Sequence, residues 1–308
     1  MSIPTPEQAF TKKILQYEEP LSDAEFEIEQ TLVKKMREYK PKFEDFEDIY
    51  SESELKQDRM KLEEQRLEEK EAHQRALILE AILGHHIEQS NWFGPNCSVA
   101  FASEYDDRFH NTDLVLEFNQ DDKVIRLAVD ITTAETPEVL EKKRIKIKKD
   151  IEKGALTNLK YFISEAEPEK KGKLFGLPRV IIAATGQGVE FLSEMIIKKD
   201  AKALAKTSVQ VALLKEVIIQ LEKEIEYSQL YFGKFDKQRK PVITEHKEIL
   251  RVINAVLEDK KKLLGFNPEA ELFTKEQTKH LLGNWDNDIE MAAKARTTLK
   301  GYNITLDF

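Results

Sequence analysis

The stretch from Ala76 to Leu83 constrains this chain more than any other, because seven of its eight residues are apolar and Glu80 is the exception. The apolar positions cover every side of a helix, so the helix has no face to turn to water and must be buried. Burying an unpaired carboxylate there costs roughly several kcal/mol. Glu80 therefore needs a partner. Arg75 stands at the wrong spacing for an i to i+4 pair, and Gly84 occupies that place on the other side. A metal ion shared with other carboxylates satisfies the group as economically as a salt bridge does.

Three strands are expected after this helix, over residues 98–104, 112–118 and 123–132, with a short turn at 119–122 joining the last two into a meander. Side-chain alternation puts Asp113, Val115 and Glu117 on one face of their strand, and Arg126, Ala128, Asp130 and Thr132 on one face of the next. Asp113 and Asp130 thus lie on adjacent strands in apolar surroundings. Two neighbouring carboxylates with few bases nearby repel, and a divalent cation relieves the repulsion. A sheet with one face in water would leave both acids solvated instead.

Thr136 followed by Pro137 marks the start of a helix reaching about Lys153, and 179–184 reads as a buried strand followed by helix from Val189. The intervening residues read as a polar loop containing Pro168 and Gly172. The core order is α-β-β-β-α-β. Residues 1–71 form a charged helical extension broken at Pro20 and Pro41. Beyond residue 200 two apolar stripes, one including Leu214, Val217 and Leu221 and the other Ile249, Val252 and Ile253, predict a helical hairpin. The expected division is 1–71, 72–200 and 201–308.

Composition narrows the function. The lone Cys97 excludes a disulfide framework and a thiolate metal cluster. No run approaches the roughly 18 apolar residues of a membrane helix, and Glu and Asp recur through the first thirty residues, so a soluble cytoplasmic protein without membrane attachment is expected. A net charge of -9 opposes general nucleic-acid binding, yet residues 139–160 hold eight bases (Lys142, Lys143, Arg144, Lys146, Lys148, Lys149, Lys153, Lys160) against three acids. A carboxylate cluster followed by a basic helix suits a metal-plus-phosphate site; a solvated helix face accounts for the basic run equally well.

The order of elements and the spacing of Glu80, Asp113 and Asp130 resemble the PD-(D/E)xK nuclease superfamily over about residues 72–200. The resemblance implies a restriction-endonuclease-like α/β fold with a mixed sheet, flanked here by helical extensions. It implies that Glu80, Asp113 and Asp130 bind Mg²⁺ or Mn²⁺ for phosphodiester hydrolysis. Thr132 stands where the family has its water-activating lysine. In some members that lysine has moved to the following helix, where Lys143 lies near the buried direction set by Leu140, Ile147 and Ile151 while Lys142 points to solvent.

The reading is a Mg²⁺-dependent nuclease acting on DNA, with RNA a possible substrate that sequence does not separate from it. Lys146, Lys149 and, after the strand at 179–184, Gln187 are expected to touch nucleic acid. The polar stretch containing Glu104, Asp106, Asp107, His110 and Asn111 could add a ligand, although such turns are common without one. The alternative is an inactive nuclease-fold scaffold whose helical extensions bind a protein partner or make a homo-oligomer.

Overall fold

The computed structural model describes residues 20–68, 74–120, 123–133, 137–232, 240–264, 285–286 and 288–291. It is a mixed α/β structure whose four-stranded sheet has the order β1-β2-β3-β6, formed by β1 (Cys97–Phe101), β2 (Leu114–Gln120), β3 (Lys123–Thr133) and β6 (Arg179–Ala184). The first three strands run antiparallel, whereas β6 lies parallel to β3 with Ile181 opposite Asp130. The parallel pair requires a crossover, which helix α6 (Pro137–Glu152) begins. Thr136, expected to cap that helix, lies outside the described residues.

The helix read from residues 76–83 is α4 (Gln74–Gln89), buried from Ile78 to Gly84. It packs on the sheet face that carries Leu114, Leu116, Phe118, Leu127 and Val129. Gly84 permits a close approach, because a Cβ there would stand 2.4 Å from the Phe101 ring. The same core takes in Val33 and Met36 of an N-terminal helix that runs from α1 (Asp23–Ile28) through a π-helical stretch (Glu29–Val33) into α2 (Lys34–Tyr39). Part of the charged extension is therefore integral to the core. Its next helix, α3 (Glu52–Glu68), buries Leu55, Asp58 and Leu62.

The opposite sheet face is not in water either. Residues 154–178, expected to be a polar loop, form instead a two-stranded antiparallel layer, β4 (Thr157–Ile163) with β5 (Lys171–Leu177). Leu159, Phe162, Leu174 and Leu177 from this layer pack with Ala100, Val115 and Ala128. Glu117 is fully buried between the layers, accepting from Arg126 Nε at 2.7 Å, Ser164 Oγ at 2.6 Å and the Glu165 N–H at 2.7 Å. Both sheet faces are covered, so Asp113 and Asp130 are buried acids, not solvated ones.

The remaining differences are local. The strand expected at 98–104 ends at Phe101, and Ser103 caps a short helix, α5 (Glu104–His110), where a turn was expected. After β6, Thr185 accepts from the Gly188 N–H at 3.1 Å and caps α7 (Gly186–Lys198), which α8 (Ala201–Leu204) follows. Helices α9 (Val209–Phe232) and α10 (Lys240–Leu264) pack against each other as the expected hairpin; 233–239 lie outside the described residues. Among the described residues, no helix is long and apolar enough to cross a membrane.

Candidate functional site

Asp113 immediately precedes β2. Its main-chain N–H donates to Val129 O at 2.9 Å, and its carboxylate accepts from the Ile131 N–H at 2.6 Å. The backbone of β3 thus holds Asp113 on both sides of Asp130. Glu80, 3% exposed, comes to the same cluster from α4, and Asp107 comes from α5. Asp107 and Asp113 influence each other directly, and Asp107 helps to raise the proton affinity of Asp113. Among the described residues, four acids from four places in the chain therefore share one electrostatic environment.

Two lysines enter the cluster. Lys143 of α6 places Nζ 2.5 Å from Asp130 Oδ1, as the helical wheel of that segment predicts. Lys40, which follows α2, places Nζ 2.8 Å from Glu80 Oε1 and 3.9 Å from Asp107 Oδ2. The sequence contains no local signal for the Lys40 contact, because forty residues separate the partners. Glu80 thus has a cationic partner after all, supplied by the N-terminal segment and not by Arg75, which pairs with Glu25 at 2.7 Å.

Proton affinities follow from this crowding. Burial pushes Glu80 up to about 7, with Lys40 opposing and Asp107 reinforcing the rise. Burial, then Asp107, Glu80 and Asp130, raises Asp113 well above the carboxylate range. Burial of Lys40 favours its neutral form, but Glu80, Asp107 and Asp113 outweigh that effect and keep it an ammonium. Four carboxyl groups against two ammoniums leave a surplus of two acids, which retained protons or one divalent cation can balance.

The all-oxygen donors suit a hard cation such as Mg²⁺. Among the described residues, no three His, Cys, Asp or Glu side chains are arranged to hold a metal ion. Lys40 and Lys143 provide the positive charge at Glu80 and Asp130.

The other expected contacts lie further out. Lys146 is exposed and donates to Asn111 Oδ1 at 2.8 Å; Lys142 and Lys149 are exposed on the same helix. Gln187 is exposed on the first turn of α7. Thr132 is buried, with its hydroxyl donating to Thr133 O. Asp106 accepts from the N–H groups of Lys160 and Tyr161 at 2.7 and 2.8 Å, fixing α5 to β4. Of the polar residues between β1 and β2, Asp107 faces the acids.

No family model matches the chain, and neither the curated proteins nor the solved structures contain a match.

Proposed function

We propose that this chain is a divalent-metal-dependent phosphodiesterase acting on DNA, built on a restriction-endonuclease-like core. The observation that carries the reading is the burial of Glu80, Asp113 and Asp130 within one another's electrostatic influence, with Lys143 from the following helix paired to Asp130. The elements α4, β1, β2, β3, α6 and β6 follow one another in the expected order, with α5 inserted after β1 and the β4–β5 layer after α6, and with the mixed sheet they support the fold assignment. In this reading Glu80, Asp113 and Asp130 would hold Mg²⁺ or Mn²⁺. When bound, such an ion lowers the pKa of a coordinated water and polarises the scissile phosphate. Lys143 orients the attacking water in place of the missing lysine at Thr132. Lys146 and Lys149 neutralise flanking phosphates, and Gln187 touches the strand from α7. The buried, unpaired Cys97 fits a cytoplasmic location.

A specific observation favours a second reading, an inactive scaffold that uses its helical extensions to bind a protein partner. Glu80 and Asp130 already have lysine partners, so the cluster can stand without a metal.

Calorimetric titration with Mg²⁺ and Mn²⁺, together with cleavage assays on single-stranded, double-stranded and branched DNA and on RNA, separates the two. The nuclease reading expects saturable metal binding, thermal stabilisation of about 2.7 kcal/mol at a hundredfold excess over Kd, and cleavage. All three should be lost in Asp130→Asn. Absence of both binding and cleavage in the native protein leaves the scaffold.

A further inference from the structure

We infer that Lys40 is a tethered cation standing at Glu80 and Asp107 in competition with a divalent ion, so that the N-terminal segment controls how much metal the carboxylate cluster accepts. This rests on the metal-site reading above.

The contact is built rather than incidental. Pro41 disfavours a helical conformation for Lys40, and the chain turns extended there, with ψ at 131°. Upstream, Val33 and Met36 anchor the helix in the main core. Downstream, Phe46 is fully buried and packs edge-on against Tyr161, with ring centroids 5.1 Å apart. The Lys40 side chain, 14% exposed, is thus delivered from two fixed ends onto Glu80, 2.8 Å away, with Asp107 at 3.9 Å.

An ammonium and a divalent cation at this position satisfy the same oxygens, and their mutual repulsion over a few ångströms excludes joint occupancy at full strength. Lys40, Tyr39, Lys42, Phe101 and Glu165 line a cavity of about 180 Å³, with room for water. Lys143 does not duplicate this role, because it pairs with Asp130 and not with Glu80.

The test is Mn²⁺ titration of the full chain by calorimetry and electron paramagnetic resonance, comparing the native protein with Lys40→Met, Lys40→Gln and Lys40→Arg. Circular dichroism and thermal unfolding would establish that each variant folds. Both neutral variants should bind Mn²⁺ on the order of tenfold more tightly, or take one more ion, whereas Lys40→Arg should match the native protein. Adding Glu80→Gln to Lys40→Met should remove the gain. Folded neutral variants with unchanged affinity and stoichiometry overturn the inference.

If the native protein binds no metal but Lys40→Met does, the inference stands and the nuclease reading of the native chain fails. If the native protein binds one ion and the neutral variants bind no better, the nuclease reading survives and the inference falls. Metal binding by neither sinks both. Should the neutral variants not fold, amine labelling of the native protein with mass-spectrometric readout decides: Lys40 should be protected without metal and gain reactivity several-fold at saturating Mn²⁺. Reactivity independent of Mn²⁺ overturns the inference.

Discussion

Gln220 of α9 and Ile181 of β6 exchange two hydrogen bonds, the Ile181 N–H donating to Gln220 Oε1 at 2.9 Å and Gln220 Nε2 donating to Ile181 O at 2.6 Å. The side-chain amide thereby does for β6 what a neighbouring strand would do. Since β6 is the last strand of the sheet, its outer backbone groups would otherwise be buried without partners. The C-terminal hairpin is consequently part of what holds the strand beside Asp130 in place.

Gln220→Ala should therefore destabilise the protein by about 2 to 4 kcal/mol, since it strands a buried donor and acceptor. Urea unfolding measures the loss. Amide exchange at Ile181 should accelerate more than exchange at Val129 in the sheet interior. A loss below about 0.5 kcal/mol would show that water replaces the amide at no cost.

One turn earlier, Glu216 accepts only a long hydrogen bond of 3.4 Å from the Ala183 N–H, and burial pushes it up to about 8 from its usual 4.5. Between those two values the folded state keeps a proton that the unfolded state has released. The contribution of Glu216 to stability then falls as pH rises from about 4.5 to 8. Glu216→Gln should remove this part of the decline and stabilise the protein at pH 8, by on the order of 3 kcal/mol. Glu80 contributes in the same direction up to about 7, whereas His86, pushed down to about 4 by burial, contributes the opposite slope below about 6.5, so the difference between the two proteins' curves isolates Glu216. Thermal unfolding of both proteins from pH 5 to 8.5 provides the check; parallel curves would mean that Glu216 has a cationic partner in solution.

What was legible in the sequence follows from which signals are local. The periodicity of α4, the alternation in β2 and β3, and the helical wheel that brings Lys143 toward Asp130 all act within one element. The β4–β5 layer was not legible for three reasons. Pro168 lies between the two strands, Gly172 and Gly176 adopt positive φ within β5, and the pairing shifts register twice, so no clean alternation survives. The α5 helix is only seven residues long, and its acids read as a turn. The Lys40–Glu80 pair depends on tertiary folding alone. The same holds for Asp58, which accepts from Tyr161 Oη at 2.9 Å across more than a hundred residues.

The sharpest distinction between the functional readings lies on one turn of α6. Lys143 reaches Asp130 at 2.5 Å, while its neighbour Lys142 is exposed. Both substitutions, Lys143→Ala and Lys142→Ala, remove one positive charge from the same turn, so a general loss of phosphate attraction would affect them alike. If Lys143 positions the attacking water, Lys143→Ala should lower cleavage by about 10² to 10⁴ while Lys142→Ala changes it little. Lys143→Arg keeps the charge but not the point geometry of an ammonium, so it should recover only part of the activity. Cleavage rates at saturating substrate, measured with Mg²⁺ and with Mn²⁺, read the chemical step apart from binding. Equal and small losses would reduce Lys143 to one more phosphate contact. Metal binding without cleavage of any substrate would leave Lys143 as the counter-ion of Asp130, and would point to a site that lost its chemistry when threonine came to occupy position 132.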